Sequence, residues 1–159
     1  MPAEIPAAAC TAGSLCHPGI SIEPQADIEV AAECMRQNHV GCLFVTEPAS
    51  DGKTRHVTGV LTDRDIVIAV VARKAPPGSL KVADVMTRNP LLVRADCSLD
   101  ATLSFMRDAG VRRVAVTKPD GELVGVLALD DLITRMAEQM LKIHDLLSNE
   151  RGLEQVRRP

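Results

Sequence analysis

The chain has 159 residues, 46% of them hydrophobic, enough for a packed core in one domain or two small ones. A formal charge of −3 and a composition with 2 Phe and neither Tyr nor Trp leave little for the basic stripes and stacking rings of a nucleic-acid surface. No run approaches the roughly 20 apolar residues of a membrane span, and the opening MPAEIPAAACTAGS lacks the regions of a signal peptide, so the expected partner is a small molecule or a protein and the expected location cytoplasmic.

Residues 1–14 read as a flexible arm. Cys10 within the arm lies close to Cys16 and His17 just after it, but their spacing matches no metal-ligand pattern, so no metal site is expected. The odd count of five cysteines, set mostly among apolar residues, reads as reduced thiols.

From residue 15 onward the chain repeats itself. DIEVAAECMRQNHVGCLFVT (27–46) aligns with SLDATLSFMRDAGVRRVAVT (98–117), an offset of 71 (Met35 to Met106). VTGVLTDRDIV (57–67) aligns with LVGVLALDDLI (123–133) at an offset of 66 (Gly59 to Gly125). In chain order the first copy, 15–80, predicts an extended piece at Ile20–Ile22, a helix over about 27–38, and strands at 42–46 and 56–61. The loop PASDGKT joins those strands, and a closing helix begins near Ile66. Ile28, Ala31, Ala32 and Met35 give the first helix its apolar stripe. A connector with Pro76, Pro77, Gly78 and Pro90 follows, with a helical turn at Val82–Met86.

The second copy, 81–140, predicts the same order: Leu91–Val93 extended, a helix over about 98–109, strands at 113–117 and 123–127 about the hairpin KPDGE, and a closing helix. Met136, Met140, Ile143 and Leu147 carry helical spacing past the repeat, so 141–159 reads as a helix extension with a stripe fit for a second subunit, ending in a frayed tail. One copy of roughly 60 residues has a marginal core alone. The fold expected is therefore mixed α/β (α+β), two β-α-β-β-α repeats packed with pseudo-two-fold symmetry.

The corner TDRD (62–65) ends a strand and opens a helix, where backbone N–H groups lack partners. Thr62 and Asp65 there either cap the helix or face a ligand. The four histidines lie far apart in the repeat scheme and no nucleophile or phosphate-loop motif occurs, so no catalytic residue is assigned.

The segments GVLTDRDIV, DVMTRNPLLV, GVRRVAV and GVLALDDLI, in that order within a repeat, resemble a tandem pair of CBS (cystathionine-beta-synthase) domains, closest to small stand-alone bacterial CBS-pair proteins. The resemblance covers roughly residues 15–140. It implies a non-catalytic regulatory protein that needs no cofactor and binds an adenosine-containing ligand between the copies: AMP, ATP, S-adenosylmethionine or NAD. It implies ribose contacts by Thr62 and Asp65, with Asp131 as the second-copy counterpart lacking a hydroxyl neighbour because Ala128 stands where Thr62 would recur. Arg112, Arg113 and Arg64 become phosphate contacts, and Ile20, Ile22, Val40, Leu91, Val93 and Val111 the adenine pocket. The expected assembly is a homodimer signalling to a separate effector protein by a shift of conformational populations. The other reading is a nucleotide-independent interaction module that docks through the C-terminal helix, and a third is a redox or metal sensor built on the N-terminal cysteines.

Overall fold

The computed structural model describes residues 10–157, and side chains through residue 147. Contacts divide the chain into a body ending at Leu127 and a separate unit from Ala128 onward. The body begins with a single turn, α1 (Ala12–Leu15), capped by the Thr11 hydroxyl. The first copy follows as β1 (Ser21–Ile22), α2 (Ile28–Asn38), β2 (Cys42–Pro48), β3 (Arg55–Thr62) and α3 (Asp63–Ile66), which continues as a π-helical turn over Val67–Ala72. The connector carries a 3-10 turn at Pro77–Ser79. The second copy has α4 (Val82–Val85), β4 (Thr87–Arg88), β5 (Leu92–Arg94), α5 (Leu99–Ala109), β6 (Arg113–Thr117) and β7 (Leu123–Ala128).

Helices and strands fall where period and alternation place them, and three local features depart from the expectation. The closing helix of the first copy makes only one α-turn before widening into the π-helical turn, which carries the β-branched residues Val67, Ile68, Val70 and Val71. Part of the segment expected to be a flexible arm is built into the body: Ala12 is fully buried and its N–H donates to the Cys97 carbonyl at 2.8 Å. Residues 1–9 lie outside the described residues. The segment expected to fray instead continues as helix to Arg157.

The strands form two sheets, ordered β1-β2-β3-β4 and β5-β6-β7. β1 runs parallel to β2, β3 antiparallel to it, and β5 parallel to β6. Alternation along β2 sends Leu43 and Val45 to one face, where they pack with Ile28, Ala31 and Met35 of α2. Phe44 goes to the other face, joining Val57 of its own sheet and Ala115 and Val126 of the other in a shared core. A bulge at Thr58 makes this possible on β3. Val45 pairs with Gly59 and Thr46 with Val57, so the extra residue resets the alternation and lets both Val57 and Val60 face the second sheet.

The two copies exchange their lead-in segments. β4, which leads into the second copy, pairs with β3 of the first through Thr87 and Val60, and Val82 and Met86 enter the first core. Reciprocally, His17 pairs with Val126 of β7 through two backbone bonds of 3.0 and 2.9 Å. The flanking bonds repeat the same exchange: Val82 N–H to Ala26 and Ile28 N–H to Leu80 in one half, Ala12 N–H to Cys97 and Leu99 N–H to Cys10 in the other. The pseudo-two-fold relation is thus written into the hydrogen bonding.

Chain from residue 128 onward is chiefly α6 (Leu129–Arg157), a 29-residue helix with Asp130 and Asp131 in its first turn. Among the described residues no helix is long and apolar enough to cross a membrane.

Candidate functional site

The corner after β3 is closed by a reciprocal cap. Asp65 N–H donates to Thr62 Oγ at 3.2 Å, while Asp65 Oδ2 accepts from the Thr62 N–H at 2.9 Å and from its hydroxyl at 2.6 Å. Capping therefore engages one carboxylate oxygen, and Oδ1 takes no hydrogen bond from the described residues. The second oxygen of such a carboxylate can still accept a hydrogen bond from a hydroxyl.

Asp63 stands beside it. Its N–H donates to the Gly41 carbonyl at 3.2 Å, its Oδ1 accepts from the Arg64 N–H at 2.7 Å, and its Oδ2 lies over Gly41, 2.9 Å from where a Cβ would be. The bare backbone of Gly41 makes room for that carboxylate. Neither Gly41 nor Asp63 stands out in the sequence, although TDRD contains both acids.

Register gathers further residues at this end of the sheet. Cys42 pairs with Thr62, and two residues further along β2 the Phe44 N–H donates to the Ile20 carbonyl at 2.9 Å, which brings Ile20 alongside β2 near the corner. Ile20, Ile22 and Val40 are half-buried against the first core.

Cys42 also reports what faces the corner from the second copy. Burial pushes its thiol up to about 11, the Arg113 guanidinium pulls it down, and the carboxylates of Asp65 and Asp63 add to the rise. Asp65 and Arg113, from opposite copies, thus both act on this thiol, which packs against the core shared by the two sheets. The repeat contains the signal, since Cys42 and Arg113 occupy equivalent positions in the alignment.

The other expected residues are placed less closely together. Arg64 is exposed in the first turn of α3, and Arg112 is exposed just before β6. Leu91 is half-buried with its carbonyl 3.4 Å from the Ala115 N–H, Val93 is buried, and Val111 is exposed. Asp131 is exposed and belongs to the separate C-terminal unit, where Ala128 offers no hydroxyl for a cap like that of Thr62. The five cysteines are free thiols. Cys16 Sγ lies 3.4 Å from the Gly13 carbonyl, and among the described residues no three potential ligands gather where a metal would sit.

A separate groove of about 410 Å³ lies between α2 and the closing helix, lined by Ile28, Ala32, Ile66 and Val70 with Glu33 and Arg36 at its rim. It contains none of the expected ligand residues. Its rim charges satisfy each other: Arg36 bonds Glu33 at 2.5 Å and 2.8 Å, holding that carboxyl down at about 2.

Comparison with known proteins places this geometry in a family. The uncharacterized protein YlbB of Bacillus subtilis is 39% identical over 102 residues, 64% of this chain and 65% of YlbB, so the chain spans just under two thirds of that relative. The structure of the CBS domain protein PAE2072 from Pyrobaculum aerophilum complexed with AMP superposes with a TM-score of 0.67 at 27% identity, covering 77% of this chain and 89% of that one. That of CBSX2 in complex with AMP gives 0.65 at 26% identity, covering 82% and 98%. The CBS domain model matches residues 12–72 and again 82–138, the two copies that exchange their lead-in segments, and the chain therefore belongs to the CBS domain family as a tandem pair.

Proposed function

We propose that this CBS pair is a regulatory sensor that binds an adenosine-containing ligand at the corner of Thr62 and Asp65, without turnover. The observation that carries the reading is the convergence of Asp65, with one carboxylate oxygen outside its cap, and Arg113 of the opposite copy around Cys42. A carboxylate to hold a ribose diol and a guanidinium to meet phosphate, held by different copies, are what a ligand needs to bridge the copies and shift their populations. The AMP-bound structures of PAE2072 and CBSX2 support the ligand class.

In this reading Ile20, Ile22 and Val40 line the adenine side of the site. Leu91, Val93 and Val111 are their counterparts in the second copy and serve a second site. Arg112 and Arg64 assist with phosphate. The protein acts in the cytoplasm as a homodimer upon an effector on another polypeptide, and the ligand is AMP or ATP, S-adenosylmethionine or NAD.

The test is thermal unfolding of protein freed of carried-over nucleotide, against those four ligands, with Asp65→Ala and Arg113→Ala alongside. A ligand at 100 times its dissociation constant stabilises by about 2.7 kcal/mol, a shift of a few degrees. The expected result is a shift with at least one ligand, lost in Asp65→Ala; Arg113→Ala weakens phosphate-bearing ligands and spares a non-phosphorylated one. No shift with any of the four would overturn the sensor and leave an interaction module.

A further inference from the structure

The core shared by the two sheets is built from equivalent positions of the two copies. Phe44 and Ala115 correspond at the offset of 71, and Val57 with Leu123 and Val60 with Val126 at the offset of 66. At the hairpin end His56 forms a bridge with Glu122, which is its own equivalent. Residues that meet their own equivalents lie on the axis relating two copies, so the pseudo-two-fold axis runs between the sheets. At the other end of the strands Cys42 packs on the same core, and its equivalent Arg113 acts on its thiol.

Along this axis the paired positions differ wherever like residues would conflict. Phe44 is large and Ala115 small, both buried. His56 is matched with Glu122, its ring 3.6 Å from where a Cβ on Gly121 would be, and Arg113 is matched with a neutral thiol. Two first copies set face to face would bring Phe44 onto Phe44 and overfill the core. Two second copies would leave a void at Ala115 and oppose Arg113 to Arg113 and Glu122 to Glu122.

We infer that the inner face of each copy accepts the other copy and rejects its own kind, so that a first copy waiting for its partner does not pair with the first copy of another chain. The inference does not depend on nucleotide binding. The connector by itself would not secure this, because it raises the local concentration of the right partner and does nothing against the wrong one. Discrimination is a difference between two affinities, and the unlike pairs supply it.

The experiment is urea unfolding of the full chain as wild type, Phe44→Ala, Ala115→Phe and the double exchange. Each single substitution makes the central pair alike, as self-pairing would, while the double restores one large and one small side chain. Each single is expected to lower the folded-to-unfolded ratio more than about tenfold. The double should be more stable than Ala115→Phe, because Phe44→Ala makes room for the new ring. A double no more stable than Ala115→Phe overturns the complementarity. If Ala115→Phe does not fold, Ala115→Leu takes its place in the same cycle. Rejection of like copies is read in wild type, refolded from urea at high concentration, oxidised with diamide and mapped for disulfides. Paired first copies would set Cys42 against Cys42, so a disulfide joining Cys42 of two chains overturns the inference, and none is expected.

Discussion

Cys42 is the residue through which the site can be watched. Its thiol sits at about 11, held there by burial against the opposing pull of Arg113. At pH 8 about one thiol in a thousand is then ionised, and the thiolate is the reactive form. In folded protein, alkylation of Cys42 should be slow at pH 8 and accelerate only toward pH 11, whereas the exposed Cys10 reacts first. The direction of the Arg113 effect follows from its sign: Arg113→Ala removes the one cation favouring the thiolate and should move the labelling midpoint to higher pH. Peptide mapping of the alkylated sites across a pH series checks both, and labelling of Cys42 as fast as Cys10 at pH 8 would contradict the packing described. At this scale the sequence showed Thr62 and Asp65 and left capping and ligand binding as rivals. The structure shows the cap and shows that it does not preclude the other role, because it engages Oδ2 and leaves Oδ1 outside the cap.

At the scale of elements, the closest approach in the fold is between glycines and crossing lead-in segments. A Cβ on Gly125 would lie 2.4 Å from the His17 carbonyl oxygen, and one on the equivalent Gly59 would lie 2.5 Å from Met86 Sδ. The first obstacle is backbone fixed by two hydrogen bonds, the second is a flexible thioether. Gly125→Ala should therefore destabilise at the upper end of the 1–3 kcal/mol range for overpacking and Gly59→Ala near its lower end, or about 1 kcal/mol. Urea denaturation of the two variants measures the difference, and equal losses would argue against a rigid crossing at His17. Helices α2 and α5 and strands β2, β3, β6 and β7 were legible because each carries its period within a few turns or residues. The bulge at Thr58 was not, since a one-residue slip is decided by which face of the partner sheet awaits Val57 and Val60. The left-handed backbone at His39 went unnoticed too, although Gly110 occupies the matching helix end and has the residue type that conformation favours. The π-helical turn after Ile66 departs from the 3.6-residue period, and an apolar run without alternation does not distinguish the two.

Across the whole molecule, the exchange of lead-in segments was the least legible feature, because it depends on pairings between distant parts of the chain. Val82 and Met86 complete a core whose other buried members come from residues 28–61. A fragment ending at residue 80 lacks both side chains and the β4 edge, so it should be unfolded alone by circular dichroism and amide exchange, and it should gain structure when mixed with a fragment of residues 81–159. A fragment of residues 1–80 that folds cooperatively by itself would refute the interdependence of the copies. Mutual completion would also give the proposed bridging ligand its leverage, because neither half can reorient without moving strands that belong to the other.

The pairing of His17 with Val126 sets a condition on how the protein is made. The His17 segment waits for a partner strand synthesised more than a hundred residues later. Until then Ala12 has no Cys97 carbonyl to dock on, and the growing chain displays the unpaired edges and apolar faces that attract chaperones and neighbouring chains. Folding of this tandem pair is thereby deferred until the second copy has been made, when both copies close over one another at once.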